Sequence, residues 1–121
     1  LKEAAAYGIA PEAVLLDPLV LAVGADHTAG QVTAEAARLI RANFGCNMTA
    51  GASNASHGMP ERQVLNTVFL ALLIQAGVNA PICNPLTNGL AVRAADLMLG
   101  LDEWGMRYIQ TYRAALKAAS E

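Results

Sequence analysis

Three short apolar runs, each closed by a polar turn and followed by a stretch of helical periodicity, govern what this chain can fold into. The first run covers residues 14–23 and is interrupted by Asp17 and Pro18. The second, residues 47–51, opens into a loop rich in Gly, Ser and Asn. The third covers residues 78–83 and is closed by Asn84 and Pro85. Runs that are apolar throughout, rather than alternating, predict a parallel sheet buried on both faces in an α/β order. In such sheets binding groups gather at the C-terminal ends of the strands, where all three polar clusters fall. This pattern leaves a barrel and an open doubly wound sheet equally admissible.

The helical stretches carry their own boundaries. Residues 31–44 place Val32, Ala36, Leu39 and Ile40 on one face. Thr28 or Thr33 is a candidate cap, and Gly45 suits the position past the end. A second helix starts near Pro60, where a missing N–H costs nothing, and stops at Gly77. Its stripe of Val64, Leu65, Val68, Phe69, Leu72 and Leu73 is wide enough to pack on a sheet. A last helical region begins after Asn88, breaks near Gly100 and Asp102, and resumes through Trp104 to about Lys117. There Leu90, Ala94, Leu97 and Met98 form the first apolar face. Trp104, Tyr108 and Tyr112 are expected to pack.

Composition excludes several classes. Hydrophobic residues make up 55% of the 121 positions and charged residues 15%, which favours a folded core over disorder. The formal net charge is -2 and there is no basic run, so a nucleic-acid partner is not expected. The longest apolar stretch, residues 64–76, is too short to span a bilayer. Cys46 and Cys83 lack metal-ligand spacing and are expected to be buried free thiols in a reduced, cytoplasmic protein. No metal site is expected. The chain starts at Leu1 inside a helix-like stretch, and it is expected to be cut from something longer, forming one partial domain over residues 1–121.

A few side chains could carry chemistry. A carboxylate ending an apolar strand is costly to bury unless it is hydrogen-bonded. Asp17 therefore either caps local backbone N–H groups or accepts paired N–H groups of a ligand such as an amino-pyrimidine edge. From Thr49 the sequence reads T-A-G-A-S-N-A-S-H-G-M-P-E-R. Gly51 and Gly58 permit close backbone approach. Ser53, Asn54 and Ser56 supply short polar groups, and Arg62 a planar cation that stacks or forks. The segment reads either as a ligand loop or as an ordinary strand-to-helix turn. Neither glycine-rich phosphate motif is present. His27 and His57 are isolated.

Taken together, D-P-L-V-L at Asp17, G-A-S-N-A-S-H-G-M-P-E-R from Gly51 and N-T-V-F-L-A-L-L-I-Q-A-G-V-N-A-P-I from Asn66 resemble the methyltetrahydrofolate:corrinoid methyltransferases. The same pterin-binding module occurs in cobalamin-dependent methionine synthase. The resemblance covers residues 8–100, and the G-x-S-N-x-S-x-G-x-P-x-R string is its specific part. It implies a dihydropteroate synthase-like (β/α)8 TIM barrel, of which this chain would supply the C-terminal part, about strands 6–8 with their helices. A whole barrel takes about 250 residues.

The resemblance also implies roles. Asp17 would hold the pterin ring, Asn54 would contact the ring nitrogen that bears the methyl group, and Gly51 and Ser53 would line the pterin. Arg62 would lie near the ring, with Ile82 an apolar contact. The substrate would be methyltetrahydrofolate, and cobalamin or another corrinoid would be carried by a partner corrinoid protein. By analogy the full-length protein would be a homodimer, and the isolated chain inactive. Two readings stand beside this one: a dihydropteroate synthase-like pterin enzyme, and a non-catalytic subunit that binds pterin and docks a corrinoid protein. The chain departs from the family at His57, where relatives commonly have a non-ionising side chain, and at Ala22, where proline is common.

Overall fold

Parallel pairing organises the larger part of the molecule. In the computed structural model, which describes residues 1–120, strands β1 (Leu15–Leu16), β2 (Asn47–Gly51) and β3 (Ala80–Ile82) form one sheet in the order β1-β2-β3. Both pairings are parallel, with Leu16 opposite Met48 and Gly51 opposite Ile82. Helix α2 (Ala29–Phe44) links β1 to β2, and α3 (Arg62–Gln75) links β2 to β3. A short helix α1 (Lys2–Ala6) and a 3-10 turn (Pro11–Ala13) precede the sheet. These elements form one compact unit, up to Ile82, and a second unit starts at Cys83.

The first run yields far less strand than its apolarity predicts. Only Leu15–Leu16 pair, because Pro18 has no N–H for the ladder and Leu19 turns to a positive φ of 62°. Beyond that turn Val20 is buried as part of a loop.

Helix α2 also differs from its pattern. The buried residues are Ala29, Thr33, Ala34 and Ala37, while Val32 and Leu39 are each 55% exposed. Periodicity identified a helix but chose the wrong face. The small residues let α2 approach its neighbours closely, and that sets which side is covered. Neither candidate threonine caps it by its side chain. Thr28 occupies the cap position, but its N–H and hydroxyl both donate to Asp26 Oδ1 (2.8 and 2.7 Å). Those two donors, the N–H foremost, hold the Asp26 carboxyl below its ordinary pKa. Thr33 lies inside the helix. Gly45 ends it in the left-handed region at φ 63°, as its position predicts.

Helix α3 buries Phe69, Leu70 and Leu73, each contributing roughly 1.5–3 kcal/mol by leaving water. Val64, Val68 and Leu72 of the predicted stripe stay exposed. Its end follows the expected chemistry: Gly77 adopts φ 105°, and Val78 N–H returns to Leu73 O at 3.0 Å. In β2 burial alternates, with Met48 and Ala50 fully covered and Asn47, Thr49 and Gly51 only half covered.

The N-terminal end of the sheet is tied by asparagines. Asn79 Oδ1 accepts the Met48 N–H (2.9 Å), Asn79 Nδ2 donates to Asn47 Oδ1 (2.7 Å), and Asn47 Nδ2 donates to Glu12 O (3.0 Å). The Asn79 side chain thus takes the place of a ladder partner just before β3 begins.

In the second unit α4 (Pro85–Met98) starts earlier than its periodicity predicts. Asn84 and Pro85 do not merely close the third run. Asn84 Oδ1 accepts the Leu86 N–H at 3.0 Å, and Pro85 sits in the first turn, where it loses no bond. Helix α5 (Met106–Ala118) follows a 3-10 turn (Glu103–Gly105). Buried Asp102 caps α5 by accepting the N–H groups of Arg107 (3.0 Å) and Tyr108 (2.9 Å). Burial alone would raise the Asp102 carboxyl. The two N–H donors, with the Arg107 guanidinium, outweigh it and leave the pKa lowered. Trp104 does not pack as expected: it is 86% exposed at a positive φ, and Tyr112 is exposed as well. Cys46 is buried and Cys83 half-buried, and both are free thiols. Among the described residues no helix is long and apolar enough to cross a membrane.

Candidate functional site

Strand direction decides where the polar turns meet. Because all pairings are parallel, β1, β2 and β3 point their C-terminal ends to the same side of the sheet, with β1 ending three residues short of β2, at Leu16 opposite Met48. Asp17 follows directly on Leu16, and Gly51 and Ile82 pair as the last residues of β2 and β3. Adjacent strands run about 4.8 Å apart. Gly51, Ser53, Asn54 and Ile82 are therefore gathered at one rim, and Asp17, one residue past the Leu16–Met48 pair, lies on the same side of the sheet but below that rim. The Ile82 side chain is 65% exposed there, and Ile82 O accepts the Ala52 N–H at 3.1 Å.

Asp17 is half committed. Its Oδ1 accepts the Leu19 N–H at 2.9 Å, which closes the turn over Pro18 and supports the positive φ of Leu19. Local capping at Asp17 leaves capacity unspent: among the described residues its second carboxylate oxygen has no hydrogen-bond partner. The residue is exposed, so that oxygen is open to a ligand donor.

Asn54 is held differently. The peptide group joining Ser53 to Asn54 is gripped at both ends. Its N–H donates to Gly51 O (3.1 Å), and its carbonyl accepts from Arg62 Nη2 (3.0 Å). The Asn54 carbonyl accepts the His57 N–H at 3.2 Å. The Asn54 carboxamide leans over Gly51, and a Cβ at position 51 would lie 2.9 Å from Asn54 Nδ2. A side chain at position 51 would therefore displace the carboxamide. The carboxamide itself makes no hydrogen bond among the described residues, so its donor and acceptor capacity is unspent.

Arg62 is placed by helix α3 but acts on the loop before it. Its Nε donates to Ser56 Oγ at 3.1 Å, and the Ser56 hydroxyl, fully buried, has Asn66 Oδ1 as its nearest acceptor at 2.6 Å. Arg62 and Asn66 are four apart on one helix and so present one face to Ser56. That spacing was the available signal for Asn66, which sequence reasoning did not single out. Glu61, just before α3, adopts φ 47°, a conformation a non-glycine residue holds only when its surroundings enforce it. The neighbouring rim loop is stitched to this one by Val23 N–H to Ala55 O at 2.8 Å. His57 is exposed on the rim loop. No group of three or more His, Cys, Asp and Glu among the described residues could hold a metal ion.

A half-free carboxylate and an unpartnered carboxamide on a held backbone, both on the C-terminal side of the sheet, offer donors and acceptors that a flat heterocycle can use. The carboxylate accepts ring or amino N–H groups, and the amide donates to, or accepts from, a ring heteroatom.

Comparison with known proteins bears on the same segments. Residues 1–84 match the model for pterin binding enzymes, a span that takes in the whole three-stranded unit and its rim. The chain is also 27% identical over 115 residues to the methylcorrinoid:tetrahydrofolate methyltransferase of Eubacterium limosum. That alignment covers 93% of this chain and 42% of the relative, so the chain spans less than half the length of that curated protein. With more than half of its residues inside the family match, the chain belongs to the pterin binding enzyme family.

Proposed function

We propose that this chain is the C-terminal part, about strands 6–8, of a (β/α)8 barrel that transfers a methyl group between methyltetrahydrofolate and the cobalt of a corrinoid protein. The observation that carries the reading is that Asp17 and Asn54 both follow the C-terminal ends of neighbouring parallel strands, with the Asn54 backbone held and its carboxamide without a partner among the described residues. The 1-2-3 strand order with a helix after each strand supports the barrel. The half-covered face of β2, carrying Thr49 and Gly51, would then line its interior.

In this reading Asp17 accepts N–H groups of the pterin, and Gly51, Ser53 and Ile82 border the ring. Asn54 contacts the nitrogen that gives up the methyl group. A tertiary amine is a poor leaving group, and electron density builds on that nitrogen as the methyl departs. The nitrogen takes up a proton from solvent as its electron pair returns from the broken N–methyl bond, and an amide hydrogen bond that strengthens as the charge develops lowers the barrier without the amide having to ionise. The corrinoid enters as a substrate carried by the partner and supplies the cobalt that exchanges the methyl group. The relative's name runs the reaction towards tetrahydrofolate. Both directions share one transition state, so Asn54 has the same task in each.

The test is Asn54→Ala in the full-length protein. Methyl transfer should fall at least about 100-fold, with a much smaller loss of folate affinity in equilibrium binding. Equal losses in both would make Asn54 a binding residue only and sink its catalytic role.

A further inference from the structure

The geometry points to Ser56, clamped between Arg62 and Asn66, as a positioning residue for Asn54. This inference rests on the methyl-transfer reading and extends it to a group that does not touch substrate. Ser56 is fully buried beneath the rim loop. Its hydroxyl has one proton to give, and Asn66 Oδ1 at 2.6 Å is nearer than Ser53 O at 3.2 Å. The oxygen is then available to accept from Arg62 Nε at 3.1 Å. That bond fixes the guanidinium so that Nη2 reaches Ser53 O at 3.0 Å. Ser53 O belongs to the peptide that carries Asn54, and the N–H of that peptide is already bound to Gly51 O. The chain of contacts therefore runs Asn66, Ser56, Arg62, Ser53 carbonyl, Asn54.

The arrangement also explains why a loop residue can be exact without spending its own side chain. The Asn54 carboxamide keeps its bonds for the ligand because the backbone beneath it is held by others. A buried serine with no route to the solvent has no reason to be polar unless its hydroxyl is bonded, and the bonds it makes tie this loop to α3. Arg62 is thereby assigned to bracing the loop through two of its nitrogens, whatever contact its remaining nitrogen makes.

A misplacement of about 1 Å at a reacting group costs about 100-fold, so releasing the brace should appear in turnover before it appears in affinity. The experiment compares Ser56→Ala, Asn54→Ala and the double variant in the full-length protein. Transfer from methyltetrahydrofolate to free reduced cobalamin is measured at saturation, beside equilibrium folate binding. Ser56→Ala alone should lower turnover about 10- to 100-fold with folate affinity nearly unchanged. In the Asn54→Ala background it should add nothing. Additive losses, or wild-type turnover in Ser56→Ala, would overturn the inference. Wild-type turnover in Asn54→Ala would instead remove the reading underneath it, and the inference with it. Should Ser56→Ala fold poorly, Asn66→Asp and Asn66→Leu ask the same question. The aspartate keeps an acceptor for Ser56 and should retain turnover, whereas leucine should lose it. Equal turnover in the two would count against the brace.

Discussion

The two ends of the same three strands handle polar groups in opposite ways. At the N-terminal end Asn47, Asn79 and the Glu12 carbonyl spend their hydrogen bonds on one another and on the Met48 N–H. At the C-terminal end, among the described residues, Asp17 keeps one oxygen unpaired and Asn54 its whole carboxamide, while the backbone that carries Asn54 is held by Gly51 and Arg62. The first arrangement is what stability asks for, since an unmade buried hydrogen bond costs about 1–3 kcal/mol. The second leaves bonding capacity unspent, which the proposed function assigns to the pterin. Leu19 and Glu61 carry positive φ values, and both lie in the segments that shape the rim.

Three substitutions in the full-length protein would break or sharpen this contrast. Asn79→Ala leaves the buried Met48 N–H without its acceptor. It should cost about 2 kcal/mol in urea unfolding while leaving folate affinity intact. A loss of affinity with unchanged stability would erase the distinction between the ends. Gly51→Ala is the converse case. The new Cβ meets only the end of an exposed side chain, so stability should change by less than about 0.5 kcal/mol. The Asn54 carboxamide must move, and methyl transfer should fall about tenfold, equivalent to about 1.4 kcal/mol in the barrier. Unchanged turnover would show that the close packing of Asn54 on Gly51 has no part in the chemistry. The smallest effect is expected at Glu61. Replacing it by glycine relieves the left-handed backbone and should raise or lower stability by less than about 1 kcal/mol. A larger loss of stability would mean that the Glu61 side chain has a structural role of its own.

Much of the rim was legible before any coordinates. A polar residue that ends an apolar strand, and a Gly-Ser-Asn loop before a helix, belong to local chemistry, and local chemistry is written in order along the chain. The parallel order of strands and the stop at Gly77 have the same origin. The missed features share a different cause. Val32 and Leu39 are apolar at helical spacing but lie outside, because the side of α2 that is covered depends on what approaches it. Residues 14–23 are apolar but for Asp17 and Pro18, yet only Leu15 and Leu16 find a ladder partner. Trp104 is aromatic and still exposed, on a turn set by its own backbone and by Gly105.

By itself, then, the order of residues determined which types of group reach the rim, where the helices stop and that the strands run in one direction. Each depends on neighbours in the chain or on the period of the side chains. Tertiary structure alone decided that Asn54 is unpartnered while Asn79 is not, and that Ser56 joins Arg62 to Asn66. Hydrogen-bond satisfaction is a matter of which atoms lie within about 3 Å of one another, and groups far apart along the chain acquire that distance only when the backbone has closed around them.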